Sequence, residues 1–340
     1  MDFMIIRNKS GSIFIFAMWT VLILTTFGIY IGYNARMRLS FVKRLETRDR
    51  LRALVEAGVH TLVNDVHMGS LKTTQFVFVK KDPDGGMTRD AEPGEYDELT
   101  YNYEVDTEDG PAYCKMTDEQ GRLNVNTANH REIERILMSA GLEEERANEL
   151  AYNIEDWRDE DNERPELNVI NNEDLYYKME GMKYSPKNKP FELVEELLLV
   201  KGMTPGIYKN IEQYVTVYGS GAVNINTCSR VVMSSLGLDK SLIDKIYIYK
   251  SGVRTHNREK GEQFSSSDDI IDELSSTVSL KKEEWDILEY FIEQGKITGQ
   301  SNCFRVKSLA RHSREHASLE CVFHRDGTIM YWKENFKQFN

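Results

Sequence analysis

The chain has 340 residues, 40% of them hydrophobic and 29% charged, with 43 Lys and Arg against 55 Asp and Glu and a formal net charge of −12. That length suffices for one large domain or two smaller ones around a sizeable core. All the excess negative charge lies between Cys114 and Thr298, where 23 basic residues meet 35 acidic ones; this argues against non-specific nucleic-acid binding, which depends on clustered Lys and Arg.

The first element is an apolar run. No residue from Ser10 to Ala35 is charged, and the run is bounded by Lys9 and Arg36. About 20 helical residues at roughly 1.5 Å each cross a bilayer core, so the run is long enough to span. It is too long for the apolar core of a secretory signal, and Asn34-Ala35-Arg36 is a poor cleavage site. Two readings stay open: a plain signal anchor, or a short basic leader ending in Gly11 and cut before Ser12. Basic residues crowd after the run, from Arg36 to Arg52, against Arg7 and Lys9 before it. Charge counting alone therefore keeps the body in the cytoplasm unless another signal overrides it. Leu51, Leu54, Val55, Gly58, Leu62 and Val66 then recur at three- and four-residue steps, which predicts that the span continues as an amphipathic rod.

Beyond the rod, Gln75–Val79 and Tyr101–Val105 read as strands, with turns at Asp82–Gly86 and Glu92–Gly94. Near the end, 303–307, 318–323 and 328–332 alternate as strands, with Arg325-Asp326-Gly327 as a hairpin turn. Two β segments around a helical middle predict one sheet interrupted by an inserted domain, with the long helix packed on the sheet.

The middle repeats itself. Gly121-Arg122-Leu123-Asn124-Val125-Asn126-Thr127 and Gly221-Ala222-Val223-Asn224-Ile225-Asn226-Thr227 share a Gly-x-apolar-Asn-apolar-Asn-Thr core, and each is followed by a helix and a Gly-Leu-acid step. A further helix pair meets around Gly202. Asn and Thr as caps and Gly as the tight turn make these helix-hairpin-helix units. Such units often contact DNA backbone through the amides of glycines such as Gly202 and Gly221. Only scattered Lys201, Lys209, Lys245 and Lys250 accompany them here.

Acidic residues concentrate from Asp156 to Glu163 and again at Glu173-Asp174. Asp159, Asp161 and Glu163 alternate as loop oxygens that face one point would, and hard oxygen donors suit Ca²⁺. The EF-hand pattern fails, since its Gly falls on Arg164 and its closing Glu on Ile170. A solvated charge run and a calcium loop of another type, closed by Glu173 or Asp174, both stand at this point. Cys114, Cys228, Cys303 and Cys321 lack zinc spacing; a Cys303–Cys321 bridge across adjacent strands and four buried thiols are both open. Scattered histidines and the absence of a Gly-x-Ser-x-Gly, phosphate-loop or His-Glu-x-x-His motif give catalysis no support.

Gly11-Ser12-Ile13-Phe14-Ile15-Phe16, the later Glu56-Ala57-Gly58 and the central motifs together resemble the protein K family of type II secretion minor pseudopilins. The resemblance implies an α+β fold: a pilin-like long helix on an antiparallel sheet, with a large inserted all-α helix-hairpin-helix (SAM-like) domain. It implies a leader at 1–11, a membrane part at 12–35, pilin-like parts at 36–113 and 299–340, and an insert at 114–298. Major pilins carry Glu at the fifth residue after the cut; here that residue is Phe16, as expected of a subunit with none above it at the filament tip. Further implications are cutting between Gly11 and Ser12 by a prepilin peptidase, and partnership with other minor pseudopilins and the major pseudopilin. The chain would cross the bacterial inner membrane once, with a cytoplasmic N-terminus and a periplasmic body. It would be non-enzymatic, with no nucleic-acid partner. The acidic segment resembles the family's calcium loop, which implies Ca²⁺ on residues among Asp156, Asp159, Asp161, Glu163, Glu173 and Asp174. The competing expectation is a membrane-anchored helix-hairpin-helix protein that binds DNA in a competence-type system.

Overall fold

The computed structural model describes residues 10–69, 77–81, 87–88, 98–107, 110–163, 172–179, 181–250, 263–312 and 315–338. Its first element, α1 (Ser10–His67), is one unbroken helix. Polar side chains inside the apolar run cost it little, because Thr20 donates to the Ala17 carbonyl at 2.8 Å and Thr26 to that of Leu22 at 3.0 Å. The helix changes character along its length. Large side chains from Ile13 to Leu45 are exposed, whereas Leu51, Leu54, Val55, Val59, Leu62 and Val66 are buried. Among the described residues α1 is the one helix long and apolar enough to cross a membrane.

After α1 come β1 (Val77–Lys81), β2 (Met87–Thr88), β3 (Glu98–Thr107) and β4 (Gly110–Asp118). The expected turns at 82–86 and 92–94, and residues 75–76 of the first expected strand, lie outside the described residues. A helical section follows. Its first half contains β5 (Leu123–Asn124), α2 (His130–Ser139), α3 (Glu144–Arg158), α4 (Glu173–Met179), a 3₁₀ turn (Val194–Leu199), α5 (Pro205–Ile211) and β6 (Val215–Thr216). Its second half contains β7 (Val223–Asn224), α6 (Arg230–Leu236), α7 (Lys240–Lys250), α8 (Ile270–Thr277), α9 (Lys282–Glu293) and β8 (Ile297–Thr298). The chain then returns through β9 (Cys303–His312), β10 (Glu315–His324) and β11 (Ile329–Gln338).

The large sheet has the order β11-β10-β9-β4-β3-β1-β2, antiparallel throughout. Its centre is the pairing of β4 with β9, so the helical section leaves and rejoins the sheet between adjacent strands. It occupies 119–302 rather than 114–298, because β4 stays in the sheet as far as Asp118 and the sheet resumes at Cys303. The buried stripe of α1 packs on Cys114, Met116, Phe304, Val306, Leu319 and Phe323. The register sets Cys303 opposite His324 and Cys321 opposite Val306. The two thiols are therefore out of step, no Cys303–Cys321 bridge forms, and all four cysteines are free and buried. Burial pushes the Cys228 and Cys321 thiols up to about 12.

Two adjacent carboxylates anchor the helical section to the sheet. Asp118 accepts hydrogen bonds from the Gln120 amide, Asn224 Nδ2, Thr227 Oγ1 and Ser301 Oγ. Glu119, completely buried, pairs with Arg122 at 3.1 Å and with Arg305 of β9, and accepts from Thr216 Oγ1. Asp118 thus holds the second half and Glu119 the first. The halves match as the sequence repeat requires: β5 pairs with β6 and β7 with β8, both parallel. They also lock reciprocally. A Cβ on Gly121 would lie 3.0 Å from Thr227 Oγ1, and one on Gly221 would lie 2.3 Å from Thr127 Oγ1. Each repeat's glycine admits the other repeat's threonine: a side chain at 221, where φ is +94°, would collide with Thr127, and one at 121 would press on Thr227.

Candidate metal centre

The acidic residues sit where α3 ends. Glu144 and Glu145 in its first turn and Arg158 in its last suit the helix dipole, while Ala147, Leu150, Ala151, Ile154 and Trp157 bury one face. Trp157 stacks on Phe191 with centroids 6.3 Å apart and meets the edge of Tyr184 at 6.2 Å. Those contacts bring Asp156, in the final turn, to 1% exposure. At Asp159 the backbone turns extended and the helix stops.

The chain comes back through a bridge between Glu163 and Asn172 and starts α4 at Glu173. Asn172 Oδ1 caps this helix by accepting from the Leu175 amide at 2.9 Å. Its other end is held by aromatics. Tyr177 is fully buried, Tyr176 donates to Glu149 at 3.0 Å, and Lys201 Nζ lies 3.9 Å from the Tyr176 ring centre. Docked this way, α4 presents Glu173, itself 0% exposed, to the end of α3.

Carboxylate oxygens of Asp156, Asp159 and Glu173 consequently lie within 4.8 Å of one another. The other three candidates are not brought into this group. Asp161 is exposed and accepts from the Glu163 amide at 2.8 Å, Glu163 is exposed, and Asp174 gives its backbone amide to Asn162 at 3.2 Å. The expected alternation of Asp159, Asp161 and Glu163 does not form one ligand face. The group is built instead from a helix end, where positions 156 and 159 share a side, and from the start of the next helix.

Three carboxylates at this depth repel one another and are costly to charge. Asp159 Oδ1 is buried without a hydrogen-bond partner. Burial, then the charge of Asp161, push the Asp159 carboxyl up to about 6 against the opposing pull of Arg158. Arg158 itself is directed elsewhere: its guanidinium donates to the carbonyls of Val125 and Ala128 and lies 3.5 Å from Glu155. The donor set is entirely hard oxygen, the chemistry that suits Ca²⁺, for which three carboxylates supply part of a six- to eight-oxygen shell.

Of the remaining sequence candidates, Gly11 and Ser12 lie in the first turns of α1, and Phe16 is 72% exposed farther along it. Among the described residues, the groups considered for a DNA-binding surface on the repeats are turned to other contacts. Lys250 is buried, Lys245 pairs with Glu284, Lys201 lies against Tyr176, and Gly221 faces Thr127. Sequence reasoning missed Arg158 and Phe191. The signal for both was their placement relative to the repeat, Arg158 at the end of its second helix and Phe191 shortly before the 3₁₀ turn Val194–Leu199.

Residues 113–220 match the family model described as "Type II secretion system (T2SS), protein K". The curated type II secretion system protein K of Klebsiella pneumoniae is 32% identical over 134 residues, 35% of this chain and 40% of that protein; the match thus spans about two fifths of the relative's length. Among solved structures, the GspK-GspI-GspJ complex of the enterotoxigenic Escherichia coli type 2 secretion system contains a chain of similar fold. It has a TM-score of 0.56 and 16% identity, with 86% of this chain and 98% of that one covered.

Proposed function

We propose, from the match of residues 113–220 to the protein K model of the type II secretion system and the similarity to the Klebsiella protein K, that this chain is a minor pseudopilin acting by shape and assembly rather than by catalysis. The observation that carries the reading is the division of α1. Its first half exposes apolar side chains suited to lipid or to neighbouring pilin helices, and its second half is committed to the sheet. The chain would be cut after Gly11 by a prepilin peptidase, cross the inner membrane once with its body in the periplasm, and trade lipid for pilin helices when the filament starts. Phe16 in place of an acidic residue suits a subunit with no neighbour above it. The helical section, read as helix-hairpin-helix units, would then cap the tip. Other minor pseudopilins and the major pseudopilin are the expected partners, and the solved relative of similar fold occurs in a complex with GspI and GspJ.

Asp156, Asp159 and Glu173 would hold one Ca²⁺, which would neutralise their mutual repulsion and tie the end of α3 to the start of α4. The buried, unpartnered oxygen of Asp159 and the all-oxygen donor set support that assignment.

N-terminal sequencing of the membrane-purified protein tests the core of this proposal. A start at Ser12 is expected; an intact Met1 would reduce the span to a signal anchor. Salt-sensitive retention of the body on duplex DNA would favour the competence-type alternative.

A further inference from the structure

The large sheet has two faces of different character. On one, α1 buries Cys114, Met116, Val306, Leu319 and Cys321. On the other, the antiparallel register aligns side chains of β4, β9, β10 and β11 in rows. Lys115, Lys307, Glu320 and Lys333 stand abreast in one row, Tyr113, Leu309, Ser318 and Asn335 in the next, and Arg311, His316 and Lys337 in the third. The helical section meets this face at one end, where Tyr218 lies 6.4 Å from Tyr331 and Glu119 pairs with Arg305. Farther along, Lys307, Arg311, Lys333 and Lys337 are exposed, and Tyr113 leaves 50% of its surface open.

The rows place five cations on one face of a chain whose formal net charge is −12. Carboxylates offset them only in part. Glu320 is shared between Arg305 and Lys307, the latter at 3.6 Å, and Glu104 of β3 stands opposite Tyr113. Lys115 faces Lys307 directly across the β4–β9 pairing, an arrangement of like charges that costs stability in an isolated sheet. The middle row is the apolar one, with Tyr113 opposite Leu309. An aromatic and apolar centre inside a charged rim is the anatomy of a protein interface.

We propose that this face docks an acidic protein surface, which sets carboxylates against the rows of Lys115 and Arg311 and an apolar side chain against Tyr113 and Leu309. The surface is independent of the filament reading above. Four strands about 4.8 Å apart and rows about 7 Å apart make a patch roughly 14 Å on a side. A carboxylate cluster of that extent matches it. A nucleic-acid strand, charged at every step, would run off the patch onto the acidic helical section. Bilayer headgroups are out of reach. Arg48, which lies over Phe336 of β11, follows the end of the uncharged run at Ala35 by thirteen residues, about 20 Å of helix against a Debye length of about 8 Å.

Fluorescence anisotropy of the full-length chain in a neutral detergent tests this. The probe is a dye-labelled ten-residue peptide with Glu at alternate positions and Leu or Phe between them. Saturable binding is expected, weakened about tenfold or more by Lys307→Glu with Arg311→Glu and about threefold by Tyr113→Ser. Because Lys307 also contacts Glu320, a second pair on the outer strand, Lys333→Glu with Lys337→Glu, is measured beside it and should weaken binding about fivefold. Reversal of two exposed cations on α1, Arg38→Glu with Lys43→Glu, should change binding by less than about twofold. Failure of the peptide to bind would overturn the proposal. So would an equal loss from the α1 pair, or equal binding by the same peptide with Lys in place of Glu. Equally tight binding of a ten-nucleotide oligo-dT, or of vesicles rich in phosphatidylglycerol, lost with the same reversals, would overturn it in favour of a polyanion or a membrane.

Discussion

Gly58 of α1 lies so close to the thiol of Cys114 on β4 that a Cβ built at position 58 would stand 2.6 Å from Sγ, and 2.8 Å from Ser308 Oγ on β9. The helix touches the sheet through this point. Gly58→Ala should lift α1 and cost about 1–3 kcal/mol, read as a lowered denaturant midpoint, and Gly58→Leu should cost more. Adding Cys114→Ala to Gly58→Ala should recover part of the loss, because one of the two closest atoms is then gone. A fully additive double variant would count against the contact as the cause.

Glu119 supplies a second test. Burial alone would raise its pKa, but Arg122 and Arg305 outweigh burial and bring it down to about 2. A depressed carboxylate stabilises the fold above its unfolded pKa and loses that contribution as pH falls through the folded value. The chain should therefore lose stability between about pH 4.5 and pH 2 through this group, and Glu119→Gln should flatten that part of an acid-unfolding curve. At neutral pH the same substitution should cost about 3 kcal/mol, since it takes a buried counter-charge from Arg122 and Arg305 and leaves Glu320 as the carboxylate on Arg305.

Asp159 behaves with the opposite sign. Its raised pKa means that the metal-free fold binds a proton more tightly than the unfolded chain, so this group's contribution is full below its unfolded pKa and declines as pH rises through about 6. Calcium needs the ionised form. The melting-temperature difference between calcium and chelator should widen from pH 5 to pH 7, and the apparent calcium Kd should rise by about tenfold per pH unit below 6. Asp159→Asn should abolish the difference at every pH.

Arg158→Met should cost about 2–4 kcal/mol, because it strips the Val125 and Ala128 carbonyls of their buried donor. Lys at this position should recover part of the loss, as Lys250, closing α7, donates to the Ile225 carbonyl at 3.0 Å in the second repeat. Thermal unfolding of the three forms side by side checks the ordering.

The parts of this architecture legible in the sequence were those set by local periodicity. The uncharged run and the Leu51-to-Val66 stripe foretold one helix with two environments, and alternation at 303–307 and 318–323 foretold neighbouring strands. The repeated Asn-apolar-Asn-Thr core marked the two halves of the helical section. What the sequence did not disclose depends on contacts far apart along the chain. The two bonds of Asn126 to the Phe191 backbone, the Thr127–Gly221 and Thr227–Gly121 exchange, and the division of labour between Asp118 and Glu119 leave no periodic trace. The carboxylate group was half visible. Its acidic density stood out, but alternation along a loop named Asp161 and Glu163, whereas the helix continues to Arg158 and brings Asp156 and Asp159 to one side.

Because β4 and β9 are neighbours at the centre of the sheet, everything between Asp118 and Cys303 is, to the sheet, one enormous hairpin loop. Closing an unstructured loop of that size is entropically costly and slow. A loop that has already folded, with its two ends held together by Asp118, Ser301 and Arg305, removes that cost. The expected order of folding is the helical section first, its ends serving as a template from which the sheet zips outward from β4 and β9. The helical section is thus the part on which the sheet would be assembled.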